Sequence, residues 1–273
     1  MDRGYTLAEL LAVEASRHVR DDEMNFVGIG TGGEAWIMAV GMPTVGVCLA
    51  QHKHAPNATF MIGPVLDPLL DDEYVPDANW EYDLIYWPCR SQIPLEDALG
   101  IFRLGKVGIS FASAAQVDIF GNLNIGRIGT KDNMKVRLPG CLAQTDHGAY
   151  AKRICVTVPH NRRTLVEHVD FISCAGNENR KGLPGGGPDL VLTNKAVMDF
   201  DEESGRMRLK SIHPGITLEE VVENTGFHLI IPRNVPETEP PTAEDLELIR
   251  RVIDPKKKFL EARITQEAAS LNW

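Results

Sequence analysis

The residues with the clearest capacity for chemistry form a glycine-rich segment near the start of the chain, Gly28-Ile29-Gly30-Thr31-Gly32-Gly33. Glycines let backbone amides approach a ligand closely, and the amino end of a following helix favours negative charge. We therefore predict that the segment from Gly30 to Gly33 holds a thioester enolate, a tetrahedral oxyanion or a carboxylate. A tight turn that binds no ligand is the structural alternative.

The spacing of these glycines also fits a dinucleotide-binding turn. That kind of site requires an acid about twenty residues further on, at the end of the second strand, to hold a ribose. Residues 48–54 contain no acid, and the next predicted strand, 59–62, ends in Gly63-Pro64. The sequence therefore disfavours a nicotinamide or flavin site, and we expect no separate cofactor.

Four titratable side chains are candidates for catalysis: Glu34, Asp67, Asp146 and His147. A carboxylate can act as a nucleophile or general base, and an adjacent acid and histidine can hold a polar substrate or activate water. Each candidate has a structural alternative. Glu34 suits the first turn of a helix, Asp67 suits a turn, and the Asp146-His147 dipeptide suits an exposed loop.

The elements that must position these residues begin with a helix, because Thr6-Leu7-Ala8-Glu9 has the spacing of a capping box. A buried strand at 26–29, a helix over much of 34–52 that Pro43 kinks or divides, and a strand at 59–62 predict a parallel βαβ unit around the glycine turn. Further strands are predicted at 107–111, 154–158, 169–173 and 190–193, and a hairpin at 197–201 and 206–212.

Two later helices are predicted to open at the capping boxes of Thr217 and Thr242. The buried face of the second is predicted from its apolar spacing to consist of Leu246, Ile249, Val252 and Ile253. The alternation of strands and helices predicts one α/β domain over residues 1–273, built on an open parallel sheet. Residues 232–273 are expected to be a connector and a C-terminal helix.

Composition limits the classes of partner. The chain of 273 residues has 38 acidic and 28 basic residues and a formal net charge of -10, which argues against nonspecific binding to nucleic acid or to a membrane. The longest apolar stretch, 36–50, is shorter than the ~20 residues of a membrane span, and the polar first residues predict no signal peptide. Five scattered cysteines predict reduced thiols in a cytoplasmic protein, and His52-Lys53-His54 lacks a third ligand for a metal.

Several motifs occur in a characteristic order between about residue 26 and residue 255. After the glycine turn they are Ala115-Gln116-Val117-Asp118-x-x-Gly121-Asn122-x-Asn124, Gly182-Leu183-Pro184-Gly185-Gly186-Gly187-Pro188, His213-Pro214-Gly215, Val221-x-Glu223-Asn224-Thr225-Gly226-Phe227 and Ile249-Arg250-x-x-Ile253-Asp254-Pro255. Together they resemble the β subunit of glutaconate CoA-transferase, a member of the class I CoA-transferase family.

The resemblance implies an open α/β fold shared with the ribose-phosphate isomerase superfamily. It also implies an α subunit of similar fold as partner, in an αβ or α2β2 heteromer, with an acyl-CoA substrate held at the interface between the two chains. By resemblance, the loop that carries Gln116, Asn122 and Asn124 approaches the active site, where their amides orient a thioester carbonyl or substrate carboxylate. The same residue types also simply make turns. Gly140 corresponds to a second glycine loop of the family.

One departure from the family bears on the reaction. The transferases carry a nucleophilic β-subunit glutamate at the end of the second strand, which forms an acyl anhydride and then a glutamyl-CoA thioester. Ile62 or Gly63 stands at that position here, and neither is a nucleophile. Asp67 and Glu34 are the acids nearest to it along the predicted turns, and Gly63 remains a predicted substrate contact.

Three hypotheses follow from this departure. The chain is a β subunit of a transferase or transferase-derived enzyme that acts on an acyl-CoA. Alternatively, it belongs to a hydrolase that opens a carbon ring in a CoA thioester, with the catalytic acid on the α subunit, as in the steroid-degrading branch of the family. In the third hypothesis, the chain only shapes the substrate pocket, and its partner supplies all the catalytic groups. A decarboxylase branch uses a cysteine near the lost glutamate, and this chain has none there.

Overall fold

The structure is a computed structural model that describes residues 4–28, 36–70, 73–75, 84, 86–141 and 143–261. The strands in these ranges are β1 Met24–Val27, β2 Thr59–Ile62, β3 Val65–Pro68, β4 Cys89–Gln92, β5 Val107–Ala112, β6 Gln116–Val117, β7 Leu123–Asn124, β8 Arg127–Gly129, β9 Met134–Arg137, β10 Arg153–Thr157, β11 Pro188–Leu192, β12 Ala196–Phe200 and β13 Met207–Ile212. The α-helices are α1 Leu7–Ser16, α2 Met42–Lys53, α3 Leu95–Arg103, α4 Gln144–Tyr150, α5 Leu218–Glu223 and α6 Ala243–Leu248. Turns of π-helix occupy Ile37–Gly41 and Ile249–Ile253, and a 3-10 turn occupies Asn177–Asn179.

The chain divides into two compact units, and the first comprises Met1–Gly100 together with Pro240–Trp273. Its strands lie in the order β1, β2, β3, β4. β1 and β2 are parallel, with Met24 opposite Thr59 and Val27 opposite Ile62. This pairing confirms the parallel arrangement of the two predicted strands. β3 and β4 then continue in antiparallel fashion.

A π-helical turn forms part of the helical segment that follows the glycine turn. The turn Ile37–Gly41 leads into α2 without a break, because Gly41 and Met42 both keep right-handed helical backbone. The change from π-helix to α-helix comes directly before Pro43, so the predicted irregularity at Pro43 takes the form of a change of helix type. Gly41 lies directly against the backbone of Phe259, so that a side chain at Gly41 would overlap the Phe259 carbonyl oxygen. The C-terminal segment is thus packed into the first unit.

The C-terminal helical segment follows its predicted buried face only in part. Ile249 and Ile253 are buried and Leu246 is half-buried. Val252 is 52% exposed, so its assignment to the buried face was wrong. The cause is the π turn, in which the Asp254 N–H bonds to the Ile249 carbonyl five residues earlier. This wider turn rotates the helix face relative to an α-helix.

The second unit is Ile101–Glu239. β5, β10 and β11 are parallel neighbours, and β11, β12 and β13 are antiparallel. The predicted hairpin forms, with Gly205 at a φ of 68° in its turn. The strand predicted at 169–173 is wrong, because the segment is held instead by isolated bonds, such as that from the Ser173 N–H to the Leu123 carbonyl.

All three predicted capping boxes are present, at Thr6, Thr217 and Thr242. In each, the hydroxyl accepts from the amide three residues on, and the acid there accepts the cap residue's own N–H. The α/β fold predicted from the sequence is confirmed, with parallel strands in both units and antiparallel strands added. In the described ranges, we find no helix with the length and apolar character needed to cross a membrane.

Candidate functional site

The end of β2 is the position at which the family places its nucleophile. Here β2 turns directly into β3, with Ile62 paired to Val65 and only Gly63 and Pro64 between them. Gly63 has a φ of 53°, a conformation that strongly favours glycine, and the Ile62 side chain is fully buried. This turn therefore presents backbone and no carboxylate.

Asp67 lies on β3, two residues after Val65, and its backbone has a φ of 43°. One carboxylate oxygen accepts the Phe60 N–H at 2.8 Å, and the other accepts from Arg90 Nη1 at 3.2 Å. The bond to Phe60 ties the side chain to β2 and helps to offset the strained backbone. A cleft of about 150 Å³ adjoins it, lined by Cys48, Gln51, His52, Phe60, Asp67, Pro68, Leu70, Val252 and Ile253.

The predicted glycine turn, from Gly30 to Gly33, and the candidate Glu34 lie outside the described residues. Gly28 precedes them, and no atom of the described residues lies within 4 Å of the position of a Cβ there. The part of this region that the structure describes resumes at the buried Trp36, which leads into the π-helical turn. The assignment of these residues to catalysis or substrate binding stays a prediction.

Gln116 and Asn124 lie opposite each other on the small β6–β7 ribbon of the second unit. The Asn124 amide donates to Gln116 Oε1 at 2.7 Å, and the same oxygen accepts the Asp170 N–H at 3.0 Å. Gln116 Nε2 donates to the Asp170 carboxylate at 3.1 Å. Both amides therefore brace the loop, and their predicted contact with substrate stays a prediction.

Asn122 occupies the centre of a second polar cluster. Its Nδ2 donates to both Asp118 oxygens, at 3.1 and 2.9 Å, and to Glu178 Oε1 at 3.1 Å. Its Oδ1 accepts the Gly176 N–H at 2.7 Å. Burial raises the pKa of Asp118, although the hydrogen bonds from Asn122 act in the opposite direction. Asn122 thus holds the loop that carries the other two amides.

His147 is buried on α4 and does not occupy the exposed loop of the structural alternative. Its Nδ1 lies 3.0 Å from Ser110 Oγ on β5, and its ring stacks on Phe102 with centroids 4.4 Å apart. Burial lowers the pKa of His147 to about 3, so the imidazole is neutral at pH 7. The neighbouring Asp146 is half-buried and lies 3.3 Å from Arg103 Nε.

Gly140 adopts a φ of 114°, and no atom of the part of the chain that the structure describes lies within 4 Å of the position of a Cβ there. Its N–H donates to the carbonyl of Ile125, the residue after Asn124. The Ser173 hydroxyl accepts the Ile125 N–H at 2.9 Å. The Ser173 carbonyl accepts a hydrogen bond from Thr145 Oγ1 on α4. The second unit therefore brings together the predicted segments 116–124 and 140–147.

The sequence reasoning missed the residues that hold these candidates in place. Asp170 fixes Gln116, while Ser110 and Phe102 fix His147. Asp170 lies in the segment predicted as a strand, 169–173. An acid inside that short apolar run was the one sign that the side chain had a polar partner. Ser110 gave no signal, because a serine inside a buried strand is common in cores.

Comparison with known proteins decides the family. Residues 96–224 match the coenzyme A transferase family. The chain is 31% identical over 265 residues to the B subunit of 3-oxoadipate CoA-transferase from Pseudomonas knackmussii, covering 90% of this chain and 92% of that relative. The chain belongs to the coenzyme A transferase family. It is one chain of a CoA-transferase-family enzyme, which confirms the predicted resemblance.

Two other known proteins are similar to this chain. The crystal structure of glutaconate coenzyme A-transferase from Acidaminococcus fermentans is similar, with a TM-score of 0.77 and 27% identity, covering 94% of this chain and 98% of that chain. The cholesterol ring-cleaving hydrolase subunit of Rhodococcus jostii is 25% identical over 176 residues, covering 62% of this chain and 68% of that relative. The 3-oxoadipate CoA-transferase relative and the glutaconate CoA-transferase relative are both B subunits, which implies a partner chain of the A type.

Proposed function

We propose that this chain is the B-type member of a heteromeric enzyme that acts on an acyl-CoA thioester and supplies no nucleophilic carboxylate itself. The turn at Gly63 carries this proposal. A class I transferase needs a carboxylate there to form its anhydride and thioester intermediates, and the turn offers only backbone. The similarity to the B subunits of two CoA-transferases supports the acyl-CoA substrate and the partner.

In this proposal the chain binds and orients the substrate, while the A-type partner provides the acid or base. Backbone amides of the glycine turn hold the oxygen that gains charge during the reaction. The buried His147 is neutral at pH 7, so it supports the fold of the 140–147 segment as a neutral hydrogen-bonding group. Asp67 keeps β2 and β3 in register through its bond to Phe60.

A trapping experiment on the co-purified pair of chains tests the missing nucleophile. The pair is incubated with acyl-CoA and then with borohydride or hydroxylamine, and each chain is analysed by mass spectrometry. We expect no adduct on this chain, and replacement of Asp67 by Asn is expected to change kcat less than about threefold. An adduct on Asp67 or Glu34, or a thousandfold loss of kcat in D67N, would overturn the proposal. Light scattering of the same sample separates αβ from α2β2.

A second candidate function is hydrolysis of a carbon–carbon bond in a cyclic or β-dicarbonyl CoA thioester. The absence of an acid at the Gly63 turn favours it, and so does the similarity to a cholesterol ring-cleaving hydrolase subunit. A base on the partner would activate water, which adds across the broken bond, with the thioester enolate held by backbone amides. This reaction predicts a product one water heavier than the substrate. Failure to incorporate label from ¹⁸O-water would exclude it.

A further inference from the structure

The β8–β9 ribbon is separate from the main sheet strands and carries an unusual distribution of side chains. All four residues of β9 are exposed. Successive side chains of a regular strand point to opposite faces, so Arg137 and Val136 lie on opposite faces of β9, and Lys135 is the residue at which a bulge interrupts the pairing. Arg127 on β8 lies directly opposite Arg137, and Ile128 lies opposite Val136. The ribbon therefore has one basic face and one apolar face.

The basic face places like charges side by side. Residues directly opposite each other in an antiparallel pair have Cβ atoms about 4.5–5.5 Å apart, and like charges in such positions are destabilising. Within the described part of the chain, we find no acid that forms an ion pair with Arg127, Lys135 or Arg137. In a protein of net charge -10, this local cluster of cations requires a physical reason.

Arg127 is additionally held in a fixed position. Its guanidinium lies over the Phe171 ring, with Cζ 4.6 Å from the ring centroid. Its Nε is buried and finds no hydrogen-bond acceptor among the described residues. The ring contact and the burial of Nε therefore hold the guanidinium in one orientation.

The ribbon is fastened to the loops that carry the predicted substrate contacts. Asn124 bonds the backbone of Arg127 on both sides, accepting its N–H at 3.3 Å and donating to its carbonyl at 2.7 Å. The Asp170 carboxylate that holds Gln116 also accepts the Gly129 N–H at 3.0 Å. The chain leaves the ribbon directly into the Gly140 loop, so the basic face has a fixed relation to both segments.

We propose that this basic face binds the phosphate groups of coenzyme A, with Arg127, Lys135 and Arg137 as ligands and Lys131 nearby in the connecting turn. The inference rests on the proposed function for the choice of coenzyme A among phosphate compounds. Planar guanidinium groups suit phosphate oxygens, and two of them on one face match a group with several negative charges. Anion binding would also relieve the repulsion between Arg127 and Arg137.

The test measures binding of coenzyme A to the co-purified heteromer by isothermal titration calorimetry. The variants are Lys135→Gln, Arg137→Gln and the two combined, because both side chains are exposed and their loss leaves the core unchanged. Each charged hydrogen bond to phosphate that is lost should raise Kd about tenfold. The effect should be smaller for dephospho-coenzyme A and absent for pantetheine. Added salt should weaken binding more in the parent protein than in the double variant.

Lys210→Gln is the matched control, since Lys210 is an exposed strand lysine of the same unit on β13, and it should leave Kd unchanged. An unchanged Kd for coenzyme A in the double variant would overturn the proposal. So would loss of the A-type partner from the double variant with normal coenzyme A binding, because the ribbon would then be a protein interface. Binding is measured without turnover. An inactive heteromer whose coenzyme A binding still depends on Arg137 therefore refutes the proposed reaction and not the ribbon site.

Discussion

Two buried histidines of the second unit should make the folded chain sensitive to mild acid. His147 stacks on Phe102, and burial lowers its pKa to about 3. His160 lies between the hydroxyls of Thr193 and Thr225, at 2.9 and 3.0 Å, and burial together with nearby positive charge lowers its pKa to about 4. Both rings are neutral in the folded chain and become charged on unfolding at low pH.

The sign and the size of the effect follow from proton linkage. The ordinary pKa of 6.5 is higher than either folded value, so the unfolded chain binds more protons between these limits. Stability is therefore fully present above pH 6.5 and is lost as the pH falls toward 4 and then 3. Between pH 7 and pH 5, each histidine should lower the free energy of unfolding by about 2 kcal/mol, or about 4 kcal/mol together. That is a large part of the roughly 5–15 kcal/mol typical of a folded protein.

Urea unfolding followed by circular dichroism at pH 7, 6 and 5 measures this quantity. His147→Gln and His160→Gln lower stability at pH 7, but each should reduce the difference between pH 7 and pH 5 by about 2 kcal/mol. His168→Gln, a histidine replacement at an exposed position of the same unit, is the matched control. If both buried variants keep the full pH dependence of the parent protein, the reasoning is refuted.

Three other predictions concern packing, ion pairing and thiol reactivity. In thermal unfolding, Gly41→Ala should destabilise the chain by about 2 kcal/mol or more, because its Cβ would overlap the Phe259 carbonyl. Gly100→Ala is the control on α3, where no described atom lies near the new Cβ, and it should stabilise the chain by roughly 0.5 kcal/mol. Glu9→Gln should lower the free energy of unfolding by about 1–2 kcal/mol, because the carboxylate caps α1 and accepts from Arg250 Nε at 2.6 Å. The double variant with Arg250→Gln should lose less stability than the sum of the two single changes. Maleimide should label two thiols of the native chain and spare three, while labelling of all five without denaturant would contradict the burial of Cys48, Cys155 and Cys174.

Local rules were sufficient to predict many of the elements from the sequence. The capping boxes at Thr6, Thr217 and Thr242 are recognisable because the hydroxyl and the acid need only a fixed spacing to satisfy each other's amides. Strand β2 was predicted at its observed bounds, since a short apolar run bounded by Gly63-Pro64 leaves little choice. The loss of the nucleophile was also visible, because residue identity alone decides it.

The sequence by itself thus determined the α/β class, the family and the chemical type of each candidate residue. Tertiary structure alone decided where those side chains lie. His147 became a buried neutral ring because Phe102 and Ser110, distant in sequence, enclose it. A wider helical turn moved Val252 outward, which no α-helical periodicity predicts. The basic face of the ribbon depends on the register that places Arg127 opposite Arg137. Hydrogen bonds between the two strands set that register, and the sequence does not show which residues they pair.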